Sequence, residues 1–287
     1  MDTQNLRAFL MVAEHASFSG AAEELHLTQP AVSKRVAALE SQLGAPLFDR
    51  IGRSVSLTEA GVALLPHAQS IWQNLHAAEQ SVRDLSGAVA GRLRLGTSHH
   101  IGLHRLPPVL RRFSQSYPEV KLDIDFMDSE QAYEEIMRGS VELAVVTLAP
   151  EQDTSMVANP IWPDPLAFMA TADHPLCGNG SASLQDLSQY PVILPGLNTY
   201  TGQIAKSLFD NQRLKLEVAM STNYLETIRM MASIGLGWTV LPRSMLETPL
   251  ELIKVADIDP PQRVLGSIYH RGRSLSNAAR AFLEELY

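Results

Sequence analysis

Apolar residues in the first sixty positions recur at the 3.6-residue spacing of helices rather than the period of two that marks strands. Leu6, Phe9, Leu10 and Ala13 give a first helix one apolar face. Phe18, Ala21, Ala22 and Leu25 do the same for a second, which Ser17 or Ser19 can cap. The pattern breaks at His26-Leu27-Thr28, where a tight turn needs a residue with positive φ, and His accepts that better than most non-glycine residues. Thr28 is a suitable N-cap for a third helix, with Pro30 near its first position. Plotted at 100° per residue, Val32, Val36, Leu39 and Leu43 share a sector of about 60° that must be the buried face. Gly44 stops that helix, and "APLFDRIGRSVSLT" then reads as a short β-hairpin.

Thr58 caps a long helix predicted to reach about Ser86. Within it Gly61, Leu64, Ala68, Ile71, Leu75, Ala78, Val82 and Leu85 recur at alternating spacings of three and four. Such a heptad seam has nothing to bury against except a second copy. Leu64, Ile71, Leu75, Val82 and Leu85 are therefore candidate dimerisation residues. Pro66 lies inside the helix and deletes one backbone hydrogen bond, which predicts a kink.

After a linker at 87–91 (GAVAG) the pattern changes to strands alternating with helices. Strands are expected at 92–97, 120–127, 141–147, 166–170, 192–194, 216–220, 237–241 and 264–269. Helices are expected at 100–115, over "SEQAYEEIMRG", and at 201–212, 223–234 and 275–286. This alternation implies an α/β architecture with largely parallel sheets, long enough for two sub-lobes.

Composition narrows the class. A chain of 287 residues, 45% hydrophobic and 19% charged, is ordinary globular material with room for two or three cores. Cys177 is the only cysteine, so no intramolecular disulfide forms and a reducing, cytoplasmic setting is expected. The first residues lack a basic leader with an apolar core, and no apolar run approaches the roughly 20 residues that span a bilayer, so no membrane association is expected. The net charge of −8 does not announce a nucleic-acid binder. Charge is local, however. Residues 1–60 carry five Lys/Arg against seven Asp/Glu, whereas 28–53 carry four against two.

That local basic face coincides with the free side of the third helix. Gln29, Pro30, Ser33, Lys34 and Ala37 occupy a separate arc of about 140°, polar or small and without acids. A helix-turn-helix needs such an arrangement: one face held by the preceding helix, the other free to enter the major groove. Gln29 can read adenine through two hydrogen bonds with Ser33 beside it, and Pro30 and Ala37 can meet a thymine methyl. Lys34 and Arg35 suit phosphates. On the hairpin, Arg50 and Arg53 suit the DNA backbone or a narrow minor groove.

The run "FLMVAEHASFSGAAEELHLTQPAVSKRVAALESQLGAPLFDR", with the later "LTEAG", "RLRLG" and "GLGWTVLP", resembles the LysR-type transcriptional regulators of bacteria, and the resemblance covers the whole chain. It implies an α+β multidomain protein. A winged helix-turn-helix would occupy 1–58, a linker and dimerisation helix with its hinge 59–90, and an effector-binding regulatory domain 91–287. The last would be α/β and two-lobed, like type 2 periplasmic binding proteins, with lobes at about 91–163 plus 266–287 and about 164–265. The resemblance further implies a homotetramer, built as a dimer of dimers, on promoter DNA with dyad symmetry. RNA polymerase is an implied partner, and a small-molecule effector stands in place of any cofactor.

An effector site follows from strand and helix ends. Ligands of open α/β sheets lie beyond the carboxyl ends of strands, where helix N-termini direct unpaired N–H groups. Thr97, Ser98, His99 and His100 sit at one such junction and Asn198, Thr199, Tyr200 and Thr201 at another. Thr147 and Thr222-Asn223 can complete a cleft for a small anion, although each of these polar residues could merely cap a helix. His100 and His104 share a helix face, but two ligands without a third do not make a zinc site, so no metal is expected. Cys177 lacks a resolving partner, and Trp162, Trp238 and the methionines near 230 read as core. An enzyme would need a nucleophile with its base or a cofactor motif, and no GxSxG, P-loop or GxGxxG follows a strand. A purely architectural DNA-binding protein would not need the α/β region.

Overall fold

The computed structural model of the chain describes residues 2–51, 54–85, 87–151, 153–178, 180–256 and 258–287, with the side chains at 50, 51, 54, 77, 81, 83 and 84 also outside the described set. Two compact units emerge, one built on residues 1–86 and one on residues 87–137 and 141–287.

In the first unit α1 (Thr3–His15), α2 (Phe18–Glu24) and α3 (Gln29–Leu43) precede a hairpin of β1 (Phe48–Ile51) and β2 (Ser54–Leu57) and the long α4 (Glu59–Asp84). Leu6, Phe9, Val12, Phe18, Ala21, Val32, Val36 and Leu39 bury together with Leu47 and Phe48 from the start of the hairpin. Phe48 meets Phe9 and Phe18 with ring centroids 5.3 and 5.7 Å apart. The turn between α2 and α3 rests on His26, at φ 53°. Ser17 caps α2 by accepting the Gly20 N–H, and Gly44 closes α3 in the left-handed region.

Thr28 occupies the N-cap of α3 as expected, though without a side-chain capping bond. Two local expectations are corrected. Leu43, placed on the buried face, is 44% exposed, because the core ends one turn before the helix does. The heptad seam divides. Its first half turns inward: Ala68 is fully buried, and Leu64, half-buried, packs on the N-terminal core. Gly61 belongs to this inward half, since a Cβ there would lie 2.2 Å from the Leu47 carbonyl oxygen. Ile71, Leu75, Val82 and Leu85 remain exposed. α4 continues through Pro66 as one helix.

The second unit holds a nine-stranded mixed sheet. In chain order its elements are β3 (Gly91–Thr97), α5 (His99–His104), α6 (Leu106–Ser116), β4 (Val120–Phe126), α7 (Ser129–Arg138), β5 (Leu143–Thr147) and β6 (Met156–Thr171). Then come α8 (Leu184–Leu187), β7 (Val192–Leu194), α9 (Tyr200–Asn211), β8 (Val218–Ser221), α10 (Leu225–Ser233), β9 (Trp238–Pro242), β10 (Leu250–Ile253), β11 (Gln262–His270) and α11 (Asn277–Glu285). The strand order is β4-β3-β5-β11-β6-β9-β7-β8, with β10 on β6. β4-β3-β5 and β8-β7-β9 are parallel sets, but β11 and β6 join them by antiparallel pairing, so the expectation of largely parallel sheets is corrected to a mixed one.

Separate apolar clusters divide this unit into two lobes. One lobe packs Leu93, Leu95, Ile101, Phe113, Leu143, Val145 and Phe282 around the β3 side. The other packs Phe168, Phe209, Trp238 and Val240 around the β7 side. Trp238 is fully buried, as expected of core, and its indole N–H donates to the Leu187 and Tyr190 carbonyls at 3.1 Å. Met230, also read as core, is 48% exposed. The helix expected at 100–115 breaks at Arg105, just ahead of Pro107 and Pro108. β6 begins at Met156, well before the expected 166, because Pro160, Pro163 and Pro165 disguise a strand whose N–H groups are not needed there. β10 and α8 lie in stretches where the sequence pattern predicts no element.

The crossing of β6 and β11 tolerates no side chain at Gly266, where a Cβ would sit 2.3 Å from the Asn159 carbonyl oxygen and 2.8 Å from Leu148 Cδ1. Gly266→Ala is expected to cost about 1–3 kcal/mol, read as a lower denaturation midpoint for the C-terminal unit. Gly178→Ala, with open space around its Cβ position, is the control and should leave the midpoint in place.

Candidate functional site

Two surfaces collect the residues singled out above, one in each unit. On α3 the outward arc is formed by Gln29, Pro30, Lys34 and Ala37, all exposed, with Ser33 half-buried. Gln29 Nε2 donates to Ser33 Oγ at 2.9 Å, which ties the two polar side chains into one pair. Arg35 leans toward α1, its Nη1 donating to Gln4 Oε1 at 3.3 Å. The side chains of Arg50 and Arg53 lie outside the described residues. The α3 arc is thus a small polar surface on a helix whose other side is locked by Val32, Val36 and Leu39.

In the second unit a cavity of about 320 Å³ opens between the lobes. Its walls are built from the starts of four helices: Ser98, His99 and His100 at α5, Ser129, Glu130 and Gln131 at α7, Thr199, Tyr200 and Thr201 at α9, and Tyr224 and Leu225 at α10. Helix N-termini carry partial positive charge and orphan N–H groups, so their convergence favours negative charge between them. Of the residues expected here, Ser98, His99, His100, Thr147, Thr199, Tyr200, Thr201 and Asn223 line the cavity. Thr97, Asn198 and Thr222 do not. Thr97 is buried and donates its hydroxyl to the Val145 carbonyl at 2.8 Å, a bond that holds β3 to β5. Thr199 caps α9, accepting the Gly202 N–H at 3.1 Å, so its hydroxyl serves the helix even though it lines the cavity.

Sequence reasoning missed the arginine in the wall. Arg263, on β11, is buried and directly opposite Asp164 of β6 in the strand register. Its Nε donates to Asp164 Oδ2 and its Nη1 to Thr201 Oγ1, both at 2.8 Å. Its Nη2 is buried without a hydrogen-bond partner. Burial lowers the guanidinium from its ordinary pKa while Asp164 opposes the shift; an arginine stays charged throughout. Arg105 adds a second contact to Asp164, 3.3 Å from Oδ1. No local pattern marks Arg263, since its partners are 62 and 99 residues away.

Two carboxylates were also missed, and both bridge the lobes. Glu130 accepts the Tyr200 N–H at the first turn of α9, and Asp128 accepts from the Asn223 amide, whose oxygen in turn accepts the Gly196 N–H at 2.9 Å. Burial raises the Glu130 carboxyl above the usual range and pushes the Tyr200 phenol up to about 12. His99 is held between Phe126 and Tyr224, its centroid 4.9 and 4.8 Å from theirs. His100 is almost fully buried; burial, then the Arg263 charge, lower its pKa to about 4, so the imidazole is neutral at neutral pH. Cys177 is half-buried and burial raises its thiol pKa, the reverse of a reactive thiolate. No helix among the described residues is long and apolar enough to cross a membrane.

Comparison with known proteins places this geometry. The family model of the LysR substrate binding domain matches residues 86–287, and that of the bacterial regulatory helix-turn-helix protein, lysR family, matches residues 3–62. Over 285 residues the chain is 31% identical to a RuBisCO operon transcriptional regulator of Allochromatium vinosum, covering 98% of this chain and 94% of that protein. It is 32% identical to the HTH-type transcriptional activator CmpR of Synechocystis sp., covering 97% and 92%. Full-length CbnR in complex with its target DNA shares the fold, with a TM-score of 0.73 at 20% identity over 100% of this chain and 99% of that one.

Because Asp164 is the acceptor that balances a buried guanidinium, Asp164→Ala should destabilise the C-terminal unit by about 3–5 kcal/mol. Chemical denaturation measures this, and an unchanged midpoint would mean that Arg263 is not held by that pair.

Proposed function

We propose that this chain, which belongs to the LysR family of transcriptional regulators and is not an enzyme, binds promoter DNA sequence-specifically and is modulated by a small anionic effector in the interlobe cavity. On this reading residues 1–58 read DNA, 59–90 dimerise and hinge, and 91–287 bind the effector, with lobes divided near 164 and 265. α3 enters the major groove, where Gln29, Ser33, Pro30 and Ala37 meet base edges while Lys34 and Arg35 meet phosphates. Arg50 and Arg53 extend the contact from the wing. The CbnR complex with its target DNA, on the same fold, supports this assignment. The exposed Ile71, Leu75 and Val82 of α4, with Leu85 just past its end, supply the face for a second copy. A dimer of dimers on dyad-symmetric DNA, acting with RNA polymerase in the cytoplasm, completes the proposal.

The observation that carries the anionic effector is the meeting of helix N-termini with an unpartnered guanidinium nitrogen. α7, α9 and α10 each run at least nine residues, and all three begin at the cavity wall. Arg263 Nη2 is buried there without an acceptor. An unmet charged donor is costly, and a carboxylate or comparable oxyanion satisfies it together with the helix ends. Glu130, whose carboxylate already takes one of those N–H groups, supports the choice of a carboxylate-like ligand.

Two measurements test the two halves of this reading separately. Gln29→Ala with Ser33→Ala should abolish the preference for the operator over unrelated DNA in a gel shift while retaining salt-sensitive nonspecific binding; retained preference would remove α3 as the reader. For the cavity, a screen of small carboxylates and oxyanions should raise the melting temperature of the intact protein. Ser98→Ala, which removes a cavity hydroxyl that caps no helix N–H, should reduce that rise without altering DNA binding. If no anion shifts the melting curve, or if DNA binding falls in parallel, the cavity assignment fails.

A further inference from the structure

The fold supplies what the sequence lacked for the paired histidines of α5. His100 and His104 lie one turn apart with ring centroids separated by 4.7 Å, and Glu226, from α10 in the opposite lobe, reaches both. His104 Nε2 is 3.0 Å and His100 Nδ1 3.6 Å from the same oxygen, Glu226 Oε1. The ligand atoms of all three residues lie within 4.8 Å of one another, the only such trio of His, Cys, Asp or Glu among the described residues.

We propose that His100, His104 and Glu226 form a binding site for a divalent transition metal of the zinc, nickel and copper class, closed across the cleft between the lobes. Metal–nitrogen and metal–oxygen bonds of about 2.0–2.1 Å put neighbouring ligand atoms of a tetrahedral site about 3.3 Å apart. The two measured separations fall on either side of that edge length. Two imidazoles and one carboxylate are borderline ligands, which suit zinc, nickel and copper better than calcium or magnesium. The second, independent observation is His100 itself. Its side chain is 3% exposed, and neither Nδ1 nor Nε2 has a hydrogen-bond partner. A buried imidazole with both nitrogens idle is a rare arrangement, and coordination uses one of them. His104 and Glu226, at 48% and 32% side-chain exposure, give the ion a path in from solvent and leave a coordination position for water.

Arg263 and Arg105 stand nearby and share one counter-charge, Asp164, so the negative charge that a cation needs at the trio itself comes from Glu226. Because two ligands come from one lobe and one from the other, a bound ion favours the arrangement in which the lobes meet. His100 also lines the interlobe cavity. Metal and cavity ligand should therefore affect each other's affinity by the same factor, in either direction.

The test uses untagged full-length protein, freed of metal with a chelator. Titration with ZnCl2 by calorimetry should show one ion per chain, and Co2+ should give visible d–d absorption typical of low coordination number. His104→Ala and Glu226→Gln, both partly exposed and so expected to fold, should each weaken Zn2+ binding by at least about tenfold, the scale on which even outer partners of a metal ligand act, and should abolish the Co2+ bands. His76→Ala, which removes an exposed histidine beside Glu79 on α4, should change neither. Absence of saturable uptake, or equal affinity in the wild type and both ligand variants, overturns the proposal. This outcome is independent of the anion screen, which does not require a metal.

Discussion

The pairing of Asp164 with Arg263 is the constraint on which the regulatory domain depends. The two residues face each other across the pair of strands that passes from lobe to lobe, and both are buried. A charge taken out of water must find its counter-charge or fail to be tolerated, so this pair sets the register at which β6 meets β11. Every element on the far side of the crossover inherits that register. Arg263 also reaches Thr201 at the start of α9, so the ion pair fixes one wall of the cavity as well as the crossing.

From that fixed point the cavity acquires its electrostatic character. Four helices start at its rim, and their N-termini favour negative charge. The protein answers part of this demand internally. Glu130 and Asp128 reach over from the α7 side to donors of the other lobe, which holds the lobes together while leaving Arg263 Nη2 unmet. The same interlobe contact recurs at Glu226 with the α5 histidines. The cleft is therefore bridged by carboxylates in both directions.

How far the sequence disclosed this depends on the range of each interaction. The helix-turn-helix was legible because its determinants are local: Ser17 caps its own helix, His26 makes its own turn, and Val32, Val36 and Leu39 share one helical face. Junctions of strand and helix were legible for the same reason, which is why most of the anticipated cavity residues do meet. Thr97 was misjudged because its hydroxyl serves the neighbouring strand, and Ala68 because half of the heptad seam turns toward its own domain. Arg263, Glu130 and Glu226 were invisible, since their partners lie 62 or more residues away along the chain. The prolines of β6 concealed the crossover itself: they are poor strand formers in general, but acceptable where a bulge already interrupts the ladder.

The two-strand crossover has a mechanical consequence. A single connecting segment would let the lobes swivel about any axis, like a ball joint. Two hydrogen-bonded strands side by side form a leaf spring, compliant to bending across the ribbon and stiff to shear or torsion within it. Gly266, backed against the Asn159 carbonyl, keeps the two leaves in close contact. Such a ribbon gives the two lobes one compliant direction, bending across the strands, and resists the others.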